Sequence, residues 1–162
     1  MNRIPDQDPR HCGTQTIPMA RLTLRRFTVD DAPAMFRNWA SDPDVTRFLT
    51  WPTQADESVS RAVLAEWCAS YADPACYHWA IVPNALQEPI GSISVVSHRD
   101  DIAMAHVGYC IGRAWWRQGY ASEALSSVID YLFRNTALNR IEARHDPENP
   151  RSGHVMRACG ML

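Results

Sequence analysis

The sequence lacks the features by which several classes of protein are recognised. It has no apolar run that approaches the length of a transmembrane helix, and its polar, proline-containing start over residues 1–18 lacks the apolar core of a signal peptide. Its formal net charge is −2, whereas nucleic-acid-binding domains usually carry a basic excess. We therefore expect neither a membrane nor a nucleic acid as a partner.

Motifs for metals and disulfides are missing as well. The five cysteines are odd in number, widely spaced and form no CxxC pair, and the six histidines include no HExxH motif. The cysteines are Cys12, Cys68, Cys76, Cys110 and Cys159. This pattern favours a reduced, cytoplasmic protein over a disulfide scaffold or a zinc site, so we expect no bound metal.

Length and composition indicate one domain. With 162 residues, of which 46% are hydrophobic, the chain can bury a substantial core. No internal repeat or low-complexity linker divides it. We interpret residues 1–18 as a mobile N-terminal tail and residues 19–162 as the domain.

The residue patterns predict strands and helices in a mixed order. They are a strand over residues 22–27, helices over 28–40 and 58–69, strands over 76–82, 90–97 and 105–111, a helix over 121–133, a strand over 140–145 and a helix over 149–160. Asp30 or Asp31 is expected to support the start of the first helix, and Gly160 to end the last one. Such an order suits a mixed α/β sheet with a ligand in a cleft.

The most informative stretch is residues 115–124, between a predicted strand and a predicted helix. Gly119 permits backbone conformations that other residues resist, and the small Ala121 and Ser122 open a helix whose first N–H groups have no partner within it. Such helix ends attract anions. The loop alone leaves open a phosphate site or a plain structural connection, and the flanking strands favour the first because they complete a βαβ unit. A nucleotide-binding P-loop is disfavoured because no Lys-Ser/Thr pair follows the glycine.

Four blocks of the sequence resemble the GCN5-related N-acetyltransferase superfamily. They are residues 21–26 with 30–32, residues 89–93, residues 108–124 and residues 146–152. Within the superfamily they are similar to the group that acetylates the N-termini of ribosomal proteins. The resemblance implies an α/β fold with a central mixed β-sheet flanked by helices, and it makes residues 19–162 an N-acetyltransferase domain.

The resemblance also implies direct transfer of an acetyl group from acetyl-coenzyme A to a primary amine, with no covalent acyl-enzyme. Loop amides would hold the pyrophosphate, the end of the preceding strand would pair with the pantetheine arm, and an asparagine would contact the cofactor's amide groups. The residues implied for the pyrophosphate are Arg117, Gln118, Gly119, Tyr120, Ala121 and Ser122. Those implied for the pantetheine arm are Cys110 and Ile111, and the implied asparagine is Asn149.

Two residues are candidates for proton transfer. His106 stands where related sequences often carry an acidic base, and an imidazole can collect the proton of the amine. The alternative is an ordinary packed or solvent-facing histidine. By the resemblance, Ser152 would lie near the sulfur, where its hydroxyl can donate to the thiolate. Many members of the superfamily use a tyrosine of this helix for that step, and because the helix contains none here, Ser152 is the candidate acid. The residue pattern alone explains this helix start as capping by Asn149 followed by Pro150.

The sequence departs from the family pattern at several positions. Trp116 and Arg117 replace residue types common at the start of the loop, Ala158 replaces a basic residue late in the last helix, and Gly153 weakens the first turn of that helix. The largest departure is the stop at Leu162, where relatives continue into two further strands. We therefore expect these C-terminal strands to be missing, either because the sequence is truncated or because a partner subunit completes the sheet. For the second case we expect the uncovered strand edge to pair with a second copy in a homodimer or a higher assembly.

The acceptor amine is left open by the sequence. A protein N-terminus, an aminoglycoside and a polyamine all fit the resemblance. Residues 48–52 resemble the region that shapes the acceptor pocket, with ordinary helix packing as the alternative. A second interpretation of function is a noncatalytic acyl-coenzyme A-binding module, or truncated pseudoenzyme, that keeps the loop but has lost the acceptor site.

Overall fold

A mixed sheet covered by helices on both faces accounts for residues 11–162, the part of the chain that the computed structural model describes. The strands are β1 (Ile17–Pro18), β2 (Leu22–Arg25), β3 (His78–Pro83), β4 (Gly91–Arg99), β5 (Met104–Ile111) and β6 (Arg140–Glu142). The helices are α1 (Ala32–Met35), α2 (Pro43–Thr46), α3 (Glu57–Ser70), α4 (Tyr120–Asn135) and α5 (Pro150–Ala158).

The six strands lie in the sheet in the order in which they occur in the chain. Neighbours from β1 to β5 are antiparallel, whereas β5 and β6 run parallel. The parallel register begins with Met104 opposite Arg140 and ends with His106 opposite Glu142, although β5 continues to Ile111. The two strands therefore diverge beyond His106 and leave a gap beside the second half of β5.

Strand β3 shows how the two faces of the sheet are covered. Trp79 and Ile81 are fully buried in the core beneath α4 and α5, while Ala80 and Val82 are buried in a second core beneath α1 and α3. Because successive side chains of a strand point to opposite faces, a nearly continuous apolar run is buried on both sides. The predicted mixed α/β sheet flanked by helices is thus confirmed.

Helix α4 follows the apolar pattern of the sequence with one exception. Ala124, Leu125, Val128 and Leu132 are fully buried against the sheet. Phe133, which the sequence analysis placed in the apolar series, is 45% exposed. It lies one residue beyond Leu132, and the helical turn of about 100° per residue carries it off the buried stripe.

The predicted first helix is divided into three parts. A 3₁₀ turn, Val29–Asp31, precedes α1, and a π-helical segment, Phe36–Ala40, follows it. The Thr28 N–H donates to Asp31 Oδ2 at 2.9 Å, and the Arg25 guanidinium donates to both carboxylate oxygens of Asp31 at 2.8 and 2.9 Å. Asp31 thus supports the helix start as predicted, and it also joins that start to β2.

The segment before β2 differs from the predicted tail. Thr14 is only 2% exposed, its hydroxyl donates to the carbonyl of Cys76 at 2.9 Å, and it accepts from the His78 N–H at 2.9 Å. Strand β1 pairs with β2. The interpretation as a mobile tail is therefore wrong for residues 11–18, which satisfy polar groups at the end of β3. Residues 1–10 lie outside the described residues.

Strand ends also differ from the predicted limits. β4 continues two residues past the predicted end at residue 97, because it pairs with β5 up to Arg99. β6 ends at Glu142 rather than at residue 145, since within residues 11–162 it pairs with β5 only and the two strands part. In this part of the chain no helix has both the length and the apolar character needed to cross a membrane.

Candidate active site

The segment between β5 and α4 presents backbone amides to the end of the gap. Arg117 and Gly119 adopt left-handed conformations, with φ of 61° and 80°. Gly119 immediately precedes α4, whose first amides have no carbonyl partner within the helix. The structure therefore brings the predicted pyrophosphate residues, 117–122, together in one turn at a helix N-terminus, where backbone N–H groups and the helix dipole favour an anion.

The side chain of Arg21 contacts this turn at three places. No role was predicted for this residue from the sequence. Its Nε donates to Glu123 Oε2 at 2.6 Å, and its terminal nitrogen donates to the carbonyl of Gln118 at 2.8 Å. The guanidinium carbon lies 4.2 Å from the centre of the Tyr120 ring. Because a Cβ on Gly119 would lie 3.2 Å from this guanidinium, Gly119 also permits the close approach of Arg21.

Gly112 fixes the start of the same segment against the π-helical turn. A Cβ at this position would overlap the backbone carbonyl of Asn38 and lie 2.9 Å from the Trp115 ring. The Gly112 N–H donates to the carbonyl of Ile90 at 2.8 Å. The segment after β5 is therefore held in close contact with Phe36–Ala40, and a glycine is required sterically rather than for its backbone freedom.

Cys110 and Ile111 end β5, on the part of the strand that β6 does not accompany. The indole Nε1 of Trp116 donates to the carbonyl of Ile111 at 2.8 Å and ties the turn to the strand. Burial raises the pKa of the Cys110 thiol to about 12. The thiol therefore stays protonated at neutral pH, which makes it a poor nucleophile.

Ser152 is held by Tyr109, a residue that the sequence analysis did not select. Ser152 Oγ donates to Tyr109 Oη at 3.0 Å, and Tyr109 Oη donates to the backbone carbonyl of Ser152 at 2.9 Å. Burial raises the pKa of the Tyr109 phenol, against the opposing effect of the hydrogen bond from Ser152. The first turn of α5 is thus joined to the unaccompanied half of β5 by two hydroxyl groups.

The first turn of α5 is also in contact with the segment before α4. The Arg151 guanidinium carbon lies 4.6 Å from the centre of the Trp116 ring. Gly153, noted above as a weak helix former, is buried, and a Cβ there would lie 2.7 Å from His145 Nε2. The glycine therefore lets His145 pack on the helix start.

His106 occupies the last paired position of β5 and β6, opposite Glu142, and is half-buried. It shares a strand face with Cys110, which packs against the core beneath α1 and α3. Tyr109 points to the other face, toward α4 and α5. The structure therefore places the two predicted proton-transfer residues, His106 and Ser152, on opposite sides of the gap.

Asn149 precedes α5, as predicted, but it does not cap the helix with its side chain. Its backbone N–H donates to the carbonyl of Asp146 at 2.8 Å, and its φ and ψ of −114° and 68° are unlike those of an extended capping residue. The capping prediction for Asn149 is wrong, while Pro150 stands at the first helical position and Gly160 follows the helix at φ 76°, as predicted. The side-chain amide of Asn149 therefore makes no capping hydrogen bond to α5.

The chain around α2 contacts both sides of the gap. Arg113, in the segment before α4, donates to Asp42 Oδ2 at 2.9 Å and to Asp44 Oδ2 at 2.8 Å. Arg47 donates to Glu148 Oε2, in the loop before α5, at 3.0 Å. The predicted acceptor region, residues 48–52, directly follows these bridges.

Ordinary core packing accounts for part of the predicted acceptor region, residues 48–52. Trp51 packs against the core beneath α1 and α3. Trp39, on the π-helical segment of the same core, is fully buried, and its indole N–H has no hydrogen-bond partner among residues 11–162. π-Helical turns often occur at functional sites. The face of the sheet that carries His106 therefore holds one unsatisfied donor.

The sequence of the chain is similar to those of known acetyltransferases. A family model described as Acetyltransferase (GNAT) domain matches residues 21–162. The uncharacterized N-acetyltransferase p20 of Bacillus licheniformis is 33% identical over 135 residues, which are 83% of this chain and 75% of that protein.

Solved structures share the fold. That of a putative ribosomal-protein-serine acetyltransferase from Vibrio cholerae has a TM-score of 0.77 at 26% identity and covers 90% of this chain and 82% of its own. That of RimL, a ribosomal L7/L12 alpha-N-protein acetyltransferase in complex with coenzyme A, has a TM-score of 0.78 at 19% identity, with the same two coverages of 90% and 82%. The described sheet and helices therefore correspond to a fold seen in acetyltransferases.

Proposed function

We propose, from the premise that this chain belongs to the GNAT acetyltransferase family, that it moves an acetyl group from acetyl-coenzyme A directly to a primary amine. Family and fold point to an N-acetyltransferase. The observation that carries the finer proposal is the divergence of β5 from β6 beside the amide-lined turn before α4. A thioester can enter the sheet there while its pyrophosphate binds the turn.

The cofactor would be held mainly by backbone groups. We assign the pyrophosphate to the amides of residues 117–122, the pantetheine arm to the backbone of Cys110 and Ile111, and a cofactor amide to the side chain of Asn149. The coenzyme A complex of RimL, similar in fold, supports this class of cofactor. Such a site needs no metal, since its anion is met by N–H groups.

In the proposed reaction the amine nitrogen attacks the carbonyl carbon of the thioester, and the carbon–sulfur bond then breaks. His106 takes a proton from the amine, and Ser152 gives a proton to the departing thiolate. His106 and Tyr109 are three positions apart along β5, which is about 10 Å at 3.3 Å per residue. The base therefore serves the amine side of the gap, and the acid serves the sulfur side.

Direct transfer fits the chemistry of the one thiol on the strand end assigned to the pantetheine arm. Cys110 would be the residue to form an acyl-enzyme, yet burial raises its pKa to about 12. A thiol needs its thiolate form to attack a carbonyl. We therefore assign Cys110 a backbone contact with the cofactor and no covalent role.

For the acceptor we favour a protein N-terminus over a small amine. Structures that share the fold are named as acetyltransferases of ribosomal proteins. A cytoplasmic location would accompany such an acceptor. Aminoglycosides and polyamines form the second class to be tested.

The test uses the full chain, acetyl-coenzyme A and a panel of amines, with release of free coenzyme A thiol as the readout. The panel contains peptides that begin with Ala, Ser or Met, an aminoglycoside and a polyamine. All 16 basic residues counted as Lys or Arg are arginine, so the chain offers no lysine side chain for self-acetylation. We expect amine-dependent thiol release with a peptide N-terminus and acetylation of that peptide by mass spectrometry.

Calorimetry with coenzyme A, combined with the turnover assay, distinguishes the possible outcomes of this test. Binding of coenzyme A without turnover of any amine would support the alternative, a noncatalytic acyl-coenzyme A-binding module. Absence of binding by a correctly folded sample would contradict both. Turnover of a small amine alone would leave the reaction in place and overturn the acceptor.

We further propose that the chain associates with a second copy along β6. Within the described residues this strand pairs with β5 only, and an edge strand presents unpaired N–H and C=O groups that favour pairing with another chain. Light scattering at increasing protein concentration should show a homodimer or a larger assembly. A monomer throughout the concentration range would rule this association out.

A further inference from the structure

A second group of coordinating side chains lies at the other end of β5. His98 is near the end of β4, Asp100 begins the 3₁₀ turn Asp100–Ile102, and His11 comes from the N-terminal segment. This turn leads into the first residue of β5, whereas the amide-lined turn follows its last residue. The length of β5 separates the two places by about 23 Å at 3.3 Å per residue.

The three side chains converge on one point. His11 Nε2 lies 3.2 Å from Asp100 Oδ1, and His98 Nδ1 lies 3.0 Å from the same oxygen. One ligand atom from each residue lies within 4.8 Å of the other two. The two imidazole rings are 4.8 Å apart with an interplanar angle of 57°, and each has one nitrogen within hydrogen-bond distance of the carboxylate.

Tyr77 contacts the second ring nitrogen of His11 and so sets the orientation of its imidazole. His11 Nδ1 lies 3.2 Å from Tyr77 Oη, which also accepts from the Cys12 N–H at 3.0 Å. Tyr77 is 2% exposed, so this hydroxyl has a fixed position. Metal-binding histidines usually have their second nitrogen held by such a partner, because it sets the ring orientation. His11 Nε2 is thereby aimed at Asp100.

There is also space beside the cluster. A cavity of about 40 Å³ is lined by His11, Asp100, Ala103, Ala137 and Leu138. It can hold a water molecule next to an ion. Two imidazoles, one carboxylate and one water make the four-coordinate set of a zinc ion with an open position.

We propose that His11, His98 and Asp100 bind one divalent cation of the zinc type. Imidazole nitrogens suit Zn²⁺, Co²⁺ and Ni²⁺, whereas Mg²⁺ and Ca²⁺ prefer oxygen ligands alone. The ion would fasten the N-terminal segment to the turn between β4 and β5. Sequence spacing gives no sign of this site, because 89 residues separate His11 from Asp100.

The test is titration of the chelator-treated full chain with Zn²⁺ by calorimetry and with Co²⁺ by visible absorption. We expect one equivalent of each metal to bind, and the Co²⁺ spectrum to lack the charge-transfer bands of a cysteine thiolate. H98Q and D100N should each weaken binding by more than about tenfold, which is the lower end of the effect seen for partners outside the ligand set. Zn²⁺ should raise the Tm of the wild type.

Two control variants match these changes. D101N removes the neighbouring carboxylate, which pairs with Arg99, and H154Q removes an exposed imidazole on α5. Both should retain wild-type affinity, and circular dichroism of the metal-free variants should match that of the wild type. Unchanged affinity in H98Q and D100N, thiolate bands in the Co²⁺ spectrum, or no binding at all would each overturn the proposal.

Discussion

Ser152 depends on a residue that its own helix does not supply. The phenol of Tyr109 reaches it from β5 and meets both its hydroxyl and its carbonyl. Ser152 is indicated by the family resemblance, and the last helix contains no tyrosine. The sequence does not show that the tyrosine of a different element lies beside that serine, because Tyr109 and Ser152 are 43 positions apart in the chain.

Tyr109→Phe removes the hydroxyl and keeps the ring. We expect kcat to fall by at least about tenfold, because Ser152 loses the partner that positions its hydroxyl, while KM for acetyl-coenzyme A changes little. Ser152→Ala should reduce kcat similarly, and the double variant should be no worse than either single one. Steady-state kinetics of the three variants measure this, with Tyr131→Phe as the matched control. Independent, multiplying losses would show that the two hydroxyls do not act as a unit.

His106→Gln tests the proposed base. The change keeps a polar, half-buried side chain at the strand position but removes the imidazole. We expect kcat to fall by about a hundredfold, the lower range for general base catalysis, with an unchanged circular dichroism spectrum. His154→Gln, on the exposed side of α5, is the control and should retain wild-type kcat. A wild-type maximal rate in the His106 variant would exclude it as the base.

At the scale of elements, the segment after β5 is positioned by packing as much as by its own sequence. Gly112→Ala would force a Cβ onto the carbonyl of Asn38, which belongs to the π-helical segment. We expect the free energy of unfolding to fall by about 1–3 kcal/mol, as in other overpacked sites, and coenzyme A to bind more weakly. Urea denaturation and calorimetry measure the two effects.

Gly160→Ala is the matched glycine control for that prediction. Its φ is 76°, and a Cβ there would meet no atom within 4 Å. The expected loss is about 1 kcal/mol from the left-handed backbone alone, with coenzyme A affinity unchanged. Equal losses of affinity in the two variants would argue against the packing explanation for Gly112.

Helices and strands could be predicted from the sequence where a single residue pattern extended through the whole element. The apolar periodicity of α4 and the β-branched and aromatic residues of β5 correctly indicated the type and place of the two elements. The limits of β6 and the division of the first helix were not predictable. Both depend on neighbours: β6 ends where β5 turns away, and Phe36–Ala40 becomes π-helical where it meets Gly112 and the core beneath α3.

For the whole molecule, His78 makes stability depend on pH. It packs 4.1 Å from the Trp67 ring centre and shares a hydrogen bond with Ser92 Oγ at 2.9 Å. Burial lowers its pKa to about 4, below the ordinary value of about 6.5. Between these values the unfolded chain binds a proton that the folded chain does not. The free energy of unfolding should therefore fall as pH drops from 6.5 to 4, by up to about 3 kcal/mol.

Urea denaturation at pH 7 and pH 5 measures this dependence. His78→Gln keeps a hydrogen-bonding group toward Ser92 but does not titrate, so its stability should vary less over the same interval. His154→Gln should retain the full wild-type dependence, since His154 is exposed on α5. If His78→Gln showed the wild-type slope, the loss of stability would have to come from other groups.

By itself, the sequence determined the class of fold, the position of the glycine-containing turn before α4 and the family resemblance. These follow from short-range properties: apolar periodicity, the freedom of Gly119, and small residues at the start of α4. Only the tertiary structure decided that Arg21 braces the turn, that Tyr109 holds Ser152, and that His11 meets His98 and Asp100. Each of these contacts joins residues far apart in the chain, and their meeting depends on strand register and packing, which no local pattern records.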